Sequence, residues 1–271
     1  MAGNKVVAVD IGGTNMRVAL IKGKKILKYV KVSTPKTKQA FLKNLVSMIK
    51  QVIGPDVRAI GVGCPGPLKN GIIKNPPNLP LRNFNLRDFL ETKFKRRVFI
   101  ENDAGCVALA ELEYGVRKNN FIILTLGTGV GGGIIINGKR YVGEGYGGEL
   151  GQIIIDHGQN LEAFWKKHRE ESKKTFGRVL TIKELLKSRD KRARKIVNRV
   201  SVYLGQGIAS LIDAFDPEIV VLMGGAREAG RKFLKIIKKD AYRFVILPKK
   251  TPIKWSKLDH PGLLGASLLV R

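Results

Sequence analysis

Cysteine is scarce in this sequence. Cys64 and Cys106 are the two present among 271 residues, and neither belongs to a C-x-x-C pair. That argues against a disulfide framework, and two buried free thiols are expected. Long apolar runs are missing as well. None approaches the roughly 20 residues of a bilayer-spanning helix, so no membrane association is expected. The opening MAGNKVVAVD enters a strand at once, without a signal-peptide core or cleavage site. A cytoplasmic protein is the expectation. Acidic residues are few, 22 Asp and Glu against 50 Lys and Arg, for a formal net charge of +28. Such a surface attracts polyanions, nucleotides and nucleic acid included. The charge is spread along the chain, however, with dense runs at 166–174, 187–199 and 231–239. No helix-turn-helix, zinc-finger or aromatic RNA-binding signature accompanies it. A solvated basic surface is expected, without specific nucleic-acid binding.

What is present is a sizeable core and a set of placed glycines. At 44% hydrophobic, the chain can fill one large domain or two ordinary ones. Residues 121–139 read FIILTLGTGVGGGIIINGK. Two β-branched runs flank a glycine cluster, so both flanks read as strands. The segment fits G-x-G-x-x-G, but a strand follows where a dinucleotide fingerprint opens a helix. A phosphate-holding hairpin is the better reading, since the glycines let backbone N–H groups approach a ligand closely. A tight turn without a ligand competes with it. Residues 6–21 repeat the design: strand, then Asp10-Ile11-Gly12-Gly13-Thr14-Asn15-Met16-Arg17, then strand. Asp10 could hold Mg²⁺ directly or through water, while Gly12, Gly13 and Thr14 offer donors to phosphate oxygens. An ordinary hairpin with Asp as turn former stays open.

Elsewhere the pattern alternates strands and helices. Helices are expected at 37–53, 86–94, 105–114, 193–215, 228–239 and 261–270, from their apolar spacing. Strands are expected at 26–33, 59–63, 98–100, 153–155, 219–222, 244–247 and 252–253. Residues 161–183 are too charged, and too broken by Gly177, to assign. Asp103 falls where a strand meets a helix start, the position at which open α/β sheets bind ligands. Capping by Asn102 or Asp103 is the plain alternative. The proline-rich NPPNLP loop at 75–80 suits either sugar hydroxyls or a rigid connector. Gly224-Gly225, between a strand and a helix, leave room for a base or ribose. The expected class is α/β, with two lobes and a cleft between them.

VAVDIGGTNMRVAL, ENDA, LTLGTGVGGGIIINGK, GGELG and DPEIVVLMGG occur in that order. Together they resemble the ROK family of sugar kinases, across nearly the whole chain. The resemblance implies the actin/hexokinase-like (ribonuclease-H-like) fold. It implies a small lobe over 1–102, joined by helix 260–271, and a large lobe over 103–259. By motif, Asp103 matches the family's catalytic base for the sugar's primary hydroxyl. Asn102, Asn78, Pro65, Gly66 and Glu149 match sugar contacts. Asp10, Gly12, Gly13, Thr14, Asn15 and Arg17, with Gly127, Thr128 and Gly129, match the phosphate loops. Gly224 and Gly225 match the adenosine pocket. ATP and Mg²⁺, bridging phosphate oxygens near Asp10, are the implied cofactors, and a homodimer or homotetramer the implied assembly. The implied activity is phosphorylation of a hexose at its 6-hydroxyl. An N-acetylhexosamine substrate is the alternative. A sugar-responsive regulator is disfavoured, because the first strand begins at Val6 with no room for a DNA-binding domain.

The sequence departs from the family after GGELG. Many members carry a histidine there and then a cysteine cluster that binds zinc. Here the histidine position is Gln152, the cluster is replaced by GQIIIDHGQNLEAFW, and His157 and His168 alone do not make a four-ligand site. No zinc is expected. Gln152 could serve as a neutral sugar contact, and Glu162 matches the sugar-binding glutamate beyond the cluster.

Overall fold

The computed structural model describes residues 4–66, 68–69, 71–74, 76 and 79–270. The chain divides into two compact units. One comprises Met1–Arg117, Arg140–Gly147 and Leu258–Arg271, the other Lys118–Lys139 and Gly148–Lys257.

In the first unit, β1 (Lys5–Ile11) and β2 (Asn15–Lys22) form an antiparallel hairpin that pairs Asp10 with Arg17. β3 (Lys25–Ser33) extends it. Helix α1 (Lys38–Val52) starts on Thr37, whose hydroxyl accepts the Ala40 N–H. Its Phe41, Leu45, Met48, Ile49 and Val52 recur at three- and four-residue steps and bury against Val7 and Val9. β4 (Ala59–Cys64) is buried along its length and runs parallel to β1. β5 (Leu68–Lys69), β6 (Ile72–Ile73) and β7 (Phe84–Asn85) make a small separate sheet. Helix α2 (Leu86–Phe94) leads to β8 (Arg97–Asn102), parallel to β4, and into α3 (Asp103–Tyr114). The main sheet reads β3-β2-β1-β4-β8.

The second unit opens with β9 (Phe121–Leu126), β10 (Val130–Ile136) and β11 (Lys139–Arg140), the last of which passes back to the first unit. A short hairpin follows, β12 (Ile154–Asp156) and β13 (Gln159–Asn160). The charged segment at 161–183 contains α4 (Leu161–Phe176) and the start of α5 (Ile182–Lys187). It eluded the sequence pattern because its apolar face is narrow. Leu161, Phe164, Trp165 and His168 point inward while nearly everything else is charged. The long α6 (Lys191–Phe215) buries Ile196, Val197, Val200, Leu204, Ile208, Leu211 and Ile212, the stripe expected from the sequence. β14 (Ile219–Met223) pairs parallel with β9 and with β15 (Ile253–Trp255), giving the order β11-β10-β9-β14-β15. Helix α7 (Gly230–Ala241) begins later than expected, after a 3-10 turn at Gly225–Ala229. The strand expected at 244–247 does not form. Ile246 is 84% exposed there, and its N–H donates to the Asp213 carboxylate at 3.2 Å.

The chain returns to the first unit with α8 (Pro261–Leu268). A Cβ at Gly61 would collide with the Ala266 carbonyl oxygen, and one at Gly265 with that of Cys106. Backbone therefore lies on backbone where α8 meets β4 and α3. This packing binds α3 to the first unit, whose first segment runs to Arg117. No helix among the described residues is long and apolar enough to cross a membrane.

His168 is 3% exposed inside α4, with Nδ1 2.5 Å from the Trp165 carbonyl oxygen. Burial lowers its pKa from 6.5 to about 4. The unfolded chain takes up this proton below about pH 6.5, and the folded chain resists until about 4. The neutral imidazole's contribution is complete above that window and drains away as pH falls through it, reaching about 3 kcal/mol. In urea unfolding at pH 7.5 and 4.5, wild type should lose about 2–3 kcal/mol more than His168→Gln. Equal losses would rule out a neutral His168.

Candidate functional site

In the first unit, the glycine turn after β1 is held by its own backbone and by one threonine. The Gly12 N–H donates to the Asn15 carbonyl at 2.9 Å. Thr34, 5% exposed, donates its hydroxyl to the Gly12 carbonyl at 2.6 Å and its N–H to the Thr14 carbonyl at 2.9 Å. Asp10 lies one residue before the end of β1, and Arg17 reaches its Oδ2 at 3.1 Å across the hairpin. Burial pushes the Asp10 carboxyl above its ordinary pKa, against the pull of Arg17 and then His260. At the end of β8, Asn102 caps α3: its Oδ1 accepts the N–H groups of Ala104 and Gly105, at 2.9 and 3.2 Å. Asp103, the first residue of α3, accepts the Ala104 N–H on Oδ1 at 2.8 Å. Glu101 pairs with Arg140. Beneath these groups lies Cys106. Its buried thiol is raised well above the usual value by desolvation, then by the charges of Glu101, Asp103 and Asp10.

The second unit holds the other candidates. The hairpin pairs Val130 with Leu126, leaving Gly127, Thr128 and Gly129 at its tip. The Gly127 N–H donates to the Gly129 carbonyl at 3.0 Å. Helix α4 grips this tip. The Trp165 indole N–H donates to the Gly127 carbonyl at 2.9 Å, and Glu162 Oε2 accepts the Val130 N–H at 2.9 Å. The other Glu162 oxygen meets Lys166 Nζ at 2.6 Å. Glu149 precedes the 3-10 turn Leu150–Gln152. Partial burial of its carboxyl, then the Glu162 charge, raises its pKa. Gln152 Oε1 accepts from Asn160 Nδ2 at 2.8 Å, which ties the turn to the α4 N-terminus. After β14, Gly224 takes a φ of 95° and lies so close to β9 that a Cβ would sit 2.5 Å from the Leu126 carbonyl oxygen.

A model of the ROK family matches residues 6–164 and 157–271. The chain belongs to the ROK family. It is 28% identical to a glucokinase of Thermotoga maritima, over 98% of this chain and 97% of that one. A xylose repressor of Bacillus spizizenii is 29% identical over 67% of this chain and 52% of its own length. Among solved structures, a ROK hexokinase from Thermus thermophilus aligns with a TM-score of 0.83 at 33% identity, covering 98% of this chain and 97% of that one. A ROK family glucokinase from Streptomyces griseus, in complex with glucose and AMPPNP, aligns with a TM-score of 0.88 at 25% identity, covering 98% of each. The α/β class and the actin/hexokinase-like architecture expected from the sequence are those of these structures.

For a ROK chain, the expected residues divide into three groups. Asp10, Gly12, Gly13, Thr14, Asn15, Arg17, Asn102 and Asp103, with Pro65 and Gly66 after β4, lie in the first unit. Gly127, Thr128, Gly129, Glu149, Gln152, Glu162, Gly224 and Gly225 lie in the second. Asn78 lies outside the described residues. Arg17 is engaged with Asp10, and Glu162 with the Val130 N–H and Lys166, so Glu162 braces the glycine hairpin. The sequence reading missed Thr34, Arg140 and Trp165, because each acts on a segment more than twenty residues away along the chain. At Gly127 and Gly225 the backbone is open: a Cβ at either would meet nothing within 4 Å. Among the described residues, no three His, Cys, Asp or Glu side chains gather as a metal site. A Mg²⁺ carried by nucleotide phosphates needs one or two carboxylates, and Asp10 is the candidate here.

Proposed function

We propose that this chain is an ATP- and Mg²⁺-dependent sugar kinase that phosphorylates the 6-hydroxyl of a hexose, glucose or a broader set. The observation that carries the reading is Asp103. Its carboxylate is fixed at a strand end, on the first turn of α3, in the same unit as the Gly12–Thr14 turn. In this reading Asp103 accepts the hydroxyl proton as the sugar oxygen bonds to the γ-phosphorus and the bridging P–O bond to ADP breaks. Asn102 orients the sugar through its amide N–H₂, since its oxygen is occupied by the cap. Glu149 and Gln152 contact sugar hydroxyls. Gly12–Thr14 and Gly127–Gly129 offer backbone N–H groups to phosphate, and Gly224-Gly225 make room for adenosine. Mg²⁺ would neutralise phosphate charge, held through water by Asp10. The glucokinase and hexokinase relatives support the activity class. A cytoplasmic location and a homo-oligomeric assembly go with it.

A sugar panel crossed with a donor panel tests this. Sugar-dependent ADP release with glucose or another hexose is the expected result. A kcat/KM at least tenfold higher for N-acetylmannosamine or N-acetylglucosamine would move the substrate to the amino sugars. No turnover with any sugar, together with sugar-dependent binding to a specific DNA sequence, would replace the kinase reading by a regulator.

A further inference from the structure

The chain contains two tryptophans, Trp165 and Trp255. Both spend their one polar group in the same way. The Trp165 indole N–H donates to the Gly127 carbonyl at 2.9 Å, at the tip of the phosphate hairpin. The Trp255 indole N–H donates to the Gly230 carbonyl at 3.0 Å, where the 3-10 turn Gly225–Ala229 passes into α7. Both rings pack on Phe233, which is fully buried, and each ring centroid lies 6.5 Å from the phenyl. The spacing is within the range of interacting aromatic pairs. His168 backs the Trp165 ring at 4.6 Å. Three elements, α4, α7 and β15, thus supply one row of rings with a hydrogen-bond donor at each end.

The two carbonyls at the ends of this row belong to Gly127, at the hairpin tip, and to Gly230, the first residue of α7. At Gly127, Gly225 and Gly230 a Cβ would find nothing within 4 Å. Glycine backbone is free to move unless something outside it holds it. Here each indole holds one glycine carbonyl, in addition to the close approach of Gly224 to Leu126.

We infer that Trp165, Phe233 and Trp255 form a strut that fixes the spacing between the Gly127 turn and the Gly225–Gly230 segment. Its chemical consequence is selectivity by ligand length, and it rests on the assignment of these segments to phosphate and adenosine. A nucleoside triphosphate engages both segments and gains from their fixed separation. Adenosine alone, or inorganic tripolyphosphate alone, engages one and gains nothing. Trp165, Phe233 and Trp255 are positioning residues, since none need touch the nucleotide.

The test is calorimetric titration of the full chain, in Mg²⁺ and without sugar, with AMPPNP, adenosine and tripolyphosphate. Trp165→Phe and Trp255→Phe keep a ring and remove the N–H. Each should weaken AMPPNP binding about fivefold, the value of one net hydrogen bond. Adenosine and tripolyphosphate should stay within about twofold, and KM for sugar should not move. The double variant should lose less than the product of the single losses, because one slack end already releases the spacing. Phe233→Leu should give the same length-dependent signature; should it fail to fold, the two Trp→Phe variants carry the test. Equal losses for AMPPNP and for the one-ended ligands would overturn the strut and leave a general packing role. Unchanged AMPPNP affinity in both single variants would also overturn it. A wild-type chain that binds no nucleotide would overturn the functional reading and the strut together, whereas a failure confined to the variants sinks the strut alone.

Discussion

Asp103→Asn should lower kcat by about 10³-fold, within the 10²–10⁴ that a positioned general base contributes. The substitution is nearly isosteric and keeps an oxygen for the Ala104 N–H, which the aspartate accepts at 2.8 Å. The α3 cap on Asn102 is untouched. Folding should therefore hold, with a melting temperature within a few degrees of wild type. What disappears is the ability to take a proton from the attacking hydroxyl. KM for sugar and for ATP should change by about threefold or less, because the lost interaction belongs to the transition state. Steady-state kinetics beside a thermal melt separate these effects. A kcat within tenfold of wild type would remove Asp103 from the role of base and force another group into it. A collapse of the melt would show instead that the carboxylate is needed for folding.

Gly265→Ala should have the largest effect on stability, at about 3 kcal/mol or more, typical of overpacking against unyielding neighbours. The added methyl would run into the Cys106 carbonyl oxygen, and backbone cannot step aside as a flexible side chain can. Helix α8 would have to lift away from α3, opening the cluster of Ala8, Cys106, Ala110, Leu263, Leu264 and Ala266. For a chain of this size that corresponds to a fall in melting temperature of about 6–12 °C. Gly262, whose missing side chain makes room for the Asp10 carboxylate, sits on the same helix. Catalysis should therefore suffer with stability. Gly225→Ala is the control: its Cβ would meet nothing within 4 Å, so the melt should not move while nucleotide affinity falls. A Gly265→Ala chain as stable as wild type would show that α8 is not pressed on α3 as described.

Much of this was legible in the chain itself. The α6 stripe, the glycine hairpin at 121–139 and the placement of Asp103 between β8 and α3 follow from short-range periodicity and turn chemistry. Those signals survive in any context, since the atoms that produce them are a few residues apart. The sequence reading went astray where the context was distant. Residues 244–247 look like a strand, yet no ladder claims them in the structure. Residues 161–183 look unassignable, yet α6 and the hairpin give their narrow apolar face something to cover.

By itself, the sequence determined the α/β class, the two glycine hairpins, the candidate base and the family. Tertiary structure alone decided which groups hold those pieces in place: Thr34 on the Gly12 turn, Arg140 on Glu101, Trp165 and Trp255 on the two glycine segments, and Gly61 and Gly265 where α8 meets β4 and α3. The reason is physical. A strand, a turn or a helix face is set by neighbours along the chain, whereas a hydrogen bond or close approach between residues such as Trp165 and Gly127 exists only once the intervening elements have packed.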